Sequence, residues 1–178
     1  DRLGAVTVKA TTRERRLGNP PQRIVETASG ILNAIGLQNG GIDDYLANKA
    51  PYLRGFDCPI IVNVPGENPD DFAYVVERLT ATGAADAVEL NISCPNVSHG
   101  LDYATDPQLA ASVVAAVRKV TSMPVIAKLS PNVTDIRVMA KACEDAGADA
   151  LSMINTVVGT AIDPRKRKFR LANITGGL

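Results

Sequence analysis

A cysteine flanked by two asparagines is the most chemically suggestive feature of this sequence. Cys94 follows residues 87–92, an apolar segment with the composition of a buried strand, and Asn91 and Asn96 lie on either side of it. Each asparagine amide offers donors and an acceptor, which suits a heterocycle with alternating C=O and N–H groups. In its deprotonated form the Cys94 thiol could act as a general base on a carbon acid.

Lysine or asparagine lies at or next to the end of each of the five apolar segments that are predicted to be strands. These polar residues are Lys9, Asn63, Asn91, Lys128 and Asn155. For a single lysine, an equally good interpretation is that the ammonium extends from the strand end into solvent. Two lysines that converge with asparagines are better suited to an anionic or electron-rich ligand, such as a flavin ring that gains negative charge on reduction.

The elements that position these residues alternate between strand and helix. Strands are predicted at residues 5–9, 59–64, 87–92, 124–128 and 150–154. Helices are predicted after the cap residues Asn68, Asp106 and Asp135, each followed by an apolar stripe with helical spacing. An extended hairpin-like piece within residues 24–33, a turn at residues 35–41 and a helix at residues 43–49 precede this alternation. Residues beyond Asn155 are predicted to form a loop.

Two architectures fit this alternation, a doubly wound open sheet and a (β/α)8 TIM barrel. No G-x-G-x-x-G motif follows any strand, which weakens the dinucleotide-binding version of the open sheet. In a barrel all strand carboxyl ends face one rim, where the active site is built, so five polar side chains would meet there. A full barrel has roughly 250 residues. We therefore expect residues 1–178 to be one partial barrel domain, truncated at both ends, with about five of eight βα units.

The composition limits the classes of function. The chain has 178 residues, with 19 basic and 19 acidic side chains, so there is no electrostatic argument for a nucleic-acid or membrane partner. Cys58, Cys94 and Cys143 form no zinc pattern with His99, so no metal site is predicted. Cys58 and Cys143 are predicted to be buried as small apolar side chains. Unpaired cysteines favour a reducing, cytoplasmic location.

Several segments, in order, resemble class 1 dihydroorotate dehydrogenase, the FMN enzyme of pyrimidine synthesis, and most closely its 1B catalytic subunit. The matching segments are VKATT at 8–12, GNPP at 18–21, LNAIGLQN at 32–39, NISCPNV at 91–97, AKLSPNVTD at 127–135 and MINT at 153–156. The cysteine distinguishes this class from the similar membrane-bound class, which uses serine as its base. Because several motifs occur together in order, the resemblance is far more specific than any single motif.

The resemblance implies a role for each matching residue. Cys94 would remove the C5 proton of dihydroorotate while a hydride passes from C6 to N5 of FMN, giving orotate. The substrate would be held by Lys9, Asn33, Ala34, Ile35, Gly36, Leu37, Asn91, Asn96, Asn155 and Thr156. FMN would be contacted by Lys9, Ala10, Asn63, Asn91, Lys128 and Ile154. Most of the FMN phosphate site is expected to lie outside the chain, although Gly176-Gly177 could open a phosphate-binding turn.

The 1B resemblance also implies an assembly. It suggests a homodimer that joins an iron–sulfur flavoprotein subunit, which carries FAD and a [2Fe–2S] cluster, in a heterotetramer that passes electrons to NAD⁺. Two alternatives stay open. One is a pyrimidine domain like that of dihydropyrimidine dehydrogenase, which has a similar cysteine turn and would act on dihydrouracil. The other is a non-catalytic barrel fragment with a role in assembly, which would bind no flavin.

Overall fold

The computed structural model describes residues 3–28, 30–92 and 103–178. Its elements follow the order that the sequence predicts through the central part of the chain. In order they are β1 Val6–Val8, β2 Ile24–Thr27, β3 Gly30–Asn33, α1 Gly41–Asp44, a π-helical turn Tyr45–Lys49, α2 Ala50–Leu53, β4 Ile60–Val64, α3 Pro69–Thr82, β5 Ala87–Asn91, α4 Pro107–Arg118, β6 Val125–Leu129, α5 Ile136–Asp145, β7 Ala150–Met153, β8 Val158–Thr160, β9 Ile162–Asp163, β10 Lys168–Phe169 and β11 Thr175–Gly177.

A parallel sheet of five strands forms the centre of the fold. Its strand order is β1, β4, β5, β6, β7, so each strand pairs with the next in this series. Helices α3, α4 and α5 connect the last four of these strands, as parallel neighbours require. The arrangement is a partial (β/α)8 barrel with five of its strands, which confirms the predicted fold class.

The two faces of this sheet differ in chemistry. The face toward the helices carries apolar side chains such as Val62, Val88 and Val125, which have no exposed surface. Side chains alternate along a strand, so their neighbours point to the opposite face. On that inner face the strand register aligns Asn63 with Glu89 and Asn91 with Lys128. The parallel strands therefore place their polar residues together, away from the helices.

Helix α3 shows how local sequence sets the element boundaries. Asn68 accepts a hydrogen bond from the Asp71 backbone N–H at 3.0 Å, and Pro69 occupies the first turn, where a missing N–H costs nothing. Gly83 ends the helix with a φ of 61°, a conformation that glycine adopts without steric cost. The predicted apolar face is confirmed, since Phe72, Val75, Val76 and Leu79 are all fully buried.

The chain beyond β7 differs from the prediction. The predicted loop contains β8, β9, β10 and β11, and β2, β3, β11 and β8 form a second, antiparallel sheet. These strands have two to four residues each, too few for an apolar alternation to be visible in the sequence. Gly176 and Gly177 lie at the end of β11, and the suggestion that they open a phosphate-binding turn stays a prediction.

Smaller corrections concern the first helical segment and the cysteines. The helical stretch starts at Gly41 and extends through α2, beyond the predicted residues 43–49, with a π-helical turn in its middle. Cys143 is buried as predicted, and burial raises the pKa of its thiol to about 11. Cys58 is only partly buried, so the prediction for this residue was wrong.

Among the described residues, no helix combines the length and the apolar character required to cross a bilayer.

Two aspartates fix the sheet register at the amino ends of the strands. The Asp86 carboxylate accepts the Ile60 backbone N–H at 2.7 Å and also binds the Arg54 guanidinium at 2.9 and 3.0 Å. Asp149 repeats the arrangement two units later, between β6 and β7, accepting the Val125 N–H at 2.7 Å and pairing with Arg118. The backbone N–H bond is the main cause that lowers the pKa of each carboxyl, and the arginine adds to it.

We predict that Asp86→Asn destabilises the protein by about 1 kcal/mol at neutral pH, because a charge-assisted hydrogen bond becomes a neutral one. The lowered pKa means that the ionised carboxyl contributes its full stability above about pH 4, the unfolded value, and loses it as pH falls through the folded value. Urea unfolding at several pH values should therefore show a difference between wild type and variant that narrows in acid.

The matched control is Asp43→Asn, which removes a carboxylate whose side chain is 82% exposed and whose ion pair with Arg78 lies on the surface. This change should cost less than about 0.5 kcal/mol, as exposed ion pairs usually do. Equal effects of the two substitutions, or a difference for Asp86→Asn that does not vary with pH, would contradict the role given to Asp86.

Candidate active site

A cavity of about 500 Å³ opens at the carboxyl ends of the parallel strands. All five strand-end residues singled out in the sequence line it. Its lining comprises Thr7, Val8, Lys9, Ala10, Asn33, Ala34, Ile35, Gly36, Leu37, Asn63, Glu89, Asn91, Ala104, Lys128, Ser130, Asn132, Asn155, Thr156, Val158, Asn173, Thr175, Gly176 and Gly177. Two sheets contribute to this wall, because the antiparallel strands β3, β8 and β11 supply residues alongside the parallel sheet.

An asparagine pair joins the ends of two strands inside the cavity. Asn155 donates its side-chain N–H to Asn91 Oδ1 at 3.0 Å, and its own Oδ1 accepts the Thr156 backbone N–H at 2.8 Å. The backbone N–H of Asn155 is held in turn by the Leu129 carbonyl at 2.9 Å. These bonds fix the orientation of the amides, so the site presents donors and acceptors in defined positions before any ligand binds.

The wall opposite these strands comes from the segment that follows β3. Asn33 donates its side-chain N–H to the Gly177 carbonyl at 3.2 Å, which ties β3 to β11. Asn19 holds the next residues in place by donating to the Ala34 carbonyl at 2.9 Å, and its backbone N–H bonds to the Ile35 carbonyl at 3.0 Å. Residues 33–37 thus line the cavity as a segment held by these hydrogen bonds, although they lie far in sequence from the parallel strand ends.

Among the residues that the structure describes, three charged side chains line the cavity, namely Lys9, Lys128 and Glu89. Glu89 is 8% exposed and accepts a hydrogen bond from the Asn63 amide at 2.6 Å. Lys128 Nζ lies 3.9 Å from the same carboxylate oxygen. The sequence analysis assigned no role to Glu89, which lies inside the strand predicted at residues 87–92. The informative signal is its spacing of two from Asn91, which puts both side chains on one face.

Ser130 and Asn132, to which the sequence analysis assigned no role, form a hydrogen-bond network beside Asn155 in the cavity lining. Asn132 donates its side-chain N–H to the Thr156 carbonyl at 3.0 Å, and its Oδ1 accepts the Val158 N–H at 3.0 Å. Ser130 Oγ accepts the Asn132 backbone N–H at 3.1 Å. This network joins the loop after β6 to the start of β8. Its residues belong to the motif AKLSPNVTD, but the motif alone does not indicate which of them bind neighbouring backbone.

Twelve predicted site residues meet in this cavity, all of them within the lining given above. Ile154 is an exception, since it does not line the cavity and is 49% exposed. Cys94 and Asn96 lie outside the described residues, so their predicted roles stay predictions. Within the described ranges, no group of three or more histidine, cysteine, aspartate or glutamate side chains is arranged to hold a metal ion.

Comparison with known proteins gives one consistent family. A family model described as dihydroorotate dehydrogenase matches residues 1–178. The catalytic subunit of dihydroorotate dehydrogenase B (NAD(+)) from Listeria welshimeri is 54% identical over 100% of this chain, which covers 59% of that relative. The subunits of the same name from Trichlorobacter lovleyi and Fusobacterium nucleatum are 54% and 51% identical, again with 59% of each relative covered. The chain thus spans less than two thirds of these relatives.

The contact between Gly177 and Thr156 provides a test of the cavity wall. A Cβ atom added at Gly177 would lie 2.0 Å from Thr156 Oγ1 and 2.6 Å from Thr156 Cβ, far inside van der Waals contact. We predict that Gly177→Ala destabilises the protein by about 1–3 kcal/mol, as overpacking does. Adding Thr156→Gly should recover most of the loss, and a double-mutant cycle of urea unfolding measures this coupling.

Gly159→Ala is the matched control within the same antiparallel sheet. Its added Cβ would meet only Leu32 Cδ1 at 3.5 Å, an ordinary contact. It should change the free energy of unfolding by less than about 0.5 kcal/mol, as substitutions without a steric conflict usually do. Independent effects of the Gly177 and Thr156 substitutions would show that these residues are not in contact.

Proposed function

The chain belongs to the dihydroorotate dehydrogenase family, and on that premise we propose that the protein catalyses FMN-dependent oxidation of dihydroorotate to orotate in pyrimidine synthesis. The observation that supports this proposal most directly is the convergence of Lys9, Asn63, Asn91, Lys128 and Asn155 on one cavity. Five strands contribute these residues, and barrel enzymes build their active sites at this end of the strands.

Several properties of the cavity support a flavin ring as its ligand. Its volume of about 500 Å³ lies within the range of small-molecule and cofactor sites. Amides of Asn63 and Asn91 can bind the alternating C=O and N–H groups of the ring, and the backbone next to Ala10 can approach its edge. Lys9 and Lys128 supply positive charge. When bound, FMN would supply the hydride acceptor, and fixed ammonium groups would favour its reduced, more negative form.

The substrate would occupy the side of the cavity formed by the loop after β3 and the asparagine pair. We propose that Asn33, residues 34–37, Asn91, Asn155 and Thr156, together with Lys9 and Asn96, hold the pyrimidine ring and carboxylate of dihydroorotate. Support comes from the hydrogen bonds that already fix Asn33, Asn155 and the loop, since preorganised amides lose little entropy when a ligand binds. Cys94 would take the proton from C5 of the substrate.

The partners are proposed from the relatives. Those relatives are named catalytic subunits of a dihydroorotate dehydrogenase that uses NAD(+), which implies that another subunit completes each enzyme. We propose that the protein forms a homodimer and joins an iron–sulfur flavoprotein subunit, carrying FAD and a [2Fe–2S] cluster, in a heterotetramer. Electrons from dihydroorotate would then pass through that subunit to NAD⁺.

We predict that Cys94→Ser in the full-length protein slows flavin reduction by dihydroorotate about a hundredfold or more near neutral pH. A serine hydroxyl is a far weaker base than a thiolate, and loss of a general base typically costs 10²–10⁴ in rate. Anaerobic single-turnover mixing with dihydroorotate, followed by flavin absorbance, measures this step apart from later electron transfer.

Cys58→Ser is the control, because Cys58 is partly buried and does not line the cavity. In this variant, dihydroorotate should reduce the flavin at the wild-type rate. Equal rates for wild type and Cys94→Ser would rule out the base role. Reduction by dihydrouracil but not by dihydroorotate would replace the proposal with the dihydropyrimidine dehydrogenase alternative, and a folded full-length protein that binds no flavin would favour a non-catalytic role.

A further inference from the structure

We propose that Glu89 is a positioning residue of the candidate site, which orients Asn63 and offsets the charge of Lys128. The inference deepens the flavin function proposed above and rests on it. It concerns a residue that no motif of the sequence singled out. Its basis is the position of one buried carboxylate between an amide and an ammonium, on the inner face of the parallel sheet.

The strand register determines which side chains can meet Glu89. Asn63 of β4 pairs with Glu89 of β5, and Glu89 pairs with Ile126 of β6, two residues before Lys128. Residues two apart on a strand share a face, so Asn63, Glu89 and Lys128 all point to the inner side of the sheet. Glu89 is 8% exposed there, and a carboxylate that is so nearly buried requires partners.

The contact with Asn63 fixes the orientation of that amide. Asn63 Nδ2 lies 2.6 Å from Glu89 Oε1. A carboxylate only accepts hydrogen bonds, so the NH₂ group of Asn63 must face Glu89. The carbonyl oxygen of Asn63 then stays turned away from Glu89 and is the group left for a ligand. Glu89 thereby makes Asn63 an acceptor toward the cavity, selecting a ligand edge that carries an N–H group.

The contact with Lys128 sets the charge of the cavity. Lys128 Nζ lies 3.9 Å from Glu89 Oε1, and the two side chains are 27% and 10% exposed. Lys9 makes no ion pair with any side chain in the described part of the chain. The charged side chains that the described residues contribute to the lining therefore sum to one positive charge. Without Glu89 the cavity would carry two, and each would be more strongly felt there than in water.

This charge balance predicts a measurable property of a bound flavin. Reduction adds negative charge to the ring, and so does the reversible addition of sulfite. A nearby carboxylate opposes both changes, while two uncompensated ammonium groups favour them. Glu89 should therefore keep the flavin potential lower, and the sulfite affinity weaker, than the two lysines alone would set them.

The test uses the full-length protein with FMN bound, and compares wild type, Glu89→Gln and Glu89→Asp. Glu89→Gln keeps the size of the side chain but removes its charge. It should shift the flavin midpoint potential to a more positive value and lower the dissociation constant for sulfite about tenfold. Glu89→Asp keeps the charge and should stay within about threefold of wild type for sulfite. Redox titration and sulfite titration, both followed by flavin absorbance, give these values without any turnover.

Glu144→Gln is the control for net charge, since Glu144 lies on the outer helix α5 with its side chain 69% exposed. It should leave both values unchanged. If Glu89→Gln does not fold, Glu89→Ser takes its place, because its smaller side chain lets water bind the Asn63 amide. The expected changes in flavin potential and sulfite affinity are the same. If Glu89→Gln binds flavin with the wild-type potential and sulfite affinity, this inference alone is overturned. The same holds if neither Glu89→Gln nor Glu89→Ser folds while Glu89→Asp does. A wild type that binds no flavin would overturn the proposed function, and this inference with it.

Discussion

The parallel register of the central sheet is the constraint on which the candidate site depends. Residues paired across neighbouring strands must share a face, and that face alternates along each strand. Because Val62, Val88 and Val125 pack against the helices, Asn63 and Glu89 have to point to the opposite, inner face of the sheet. The polar cavity is therefore a geometric consequence of how the apolar core is packed. Contacts such as the hydrogen bond between Asn63 and Glu89 then fix the orientation of side chains that already share this face.

The amino ends of the parallel strands carry contacts that stabilise the sheet, and the carboxyl ends carry the candidate site. At the amino ends, Asp86 and Asp149 bind the first backbone N–H of the neighbouring strand, and so hold the strands in register. At the carboxyl ends, lysines and asparagines occupy the corresponding rim and face a cavity. A change at one end of a strand can thus alter folding without touching the site. The identity of the site residues is therefore not constrained by the strand register, because Asp86 and Asp149 fix that register at the amino ends.

Much of this arrangement could be predicted from the sequence. Caps such as Asn68 and stop signals such as Gly83 are local, and the strand-end residues follow a simple repeat along the chain. In the antiparallel sheet, the hairpin of β2 and β3 was predicted. The pairing of β11 with β3 and β8 could not be predicted, because these strands are very short and join residues as distant as Asn33 and Gly177. Glu89 was missed for a related reason. Its spacing of two from Asn91 indicates the face that it shares, but its contacts with Asn63 and Lys128 depend on the register between strands, which no local pattern gives.

The contrast between the two cavity lysines shows what the structure adds to a list of matching residues. The strand-end pattern in the sequence treats Lys9 and Lys128 alike, as cations that end two strands. The structure separates them, because Lys128 lies beside the Glu89 carboxylate and Lys9 has no such neighbour in the described chain. An ammonium paired with a buried carboxylate mainly keeps its position, since its charge is already balanced locally. An unbalanced ammonium attracts an anion instead. Lys9, placed by the resemblance at both the substrate and the flavin, is therefore the cation best suited to a negatively charged ligand group, while Lys128 with Glu89 forms the fixed, nearly neutral part of the wall.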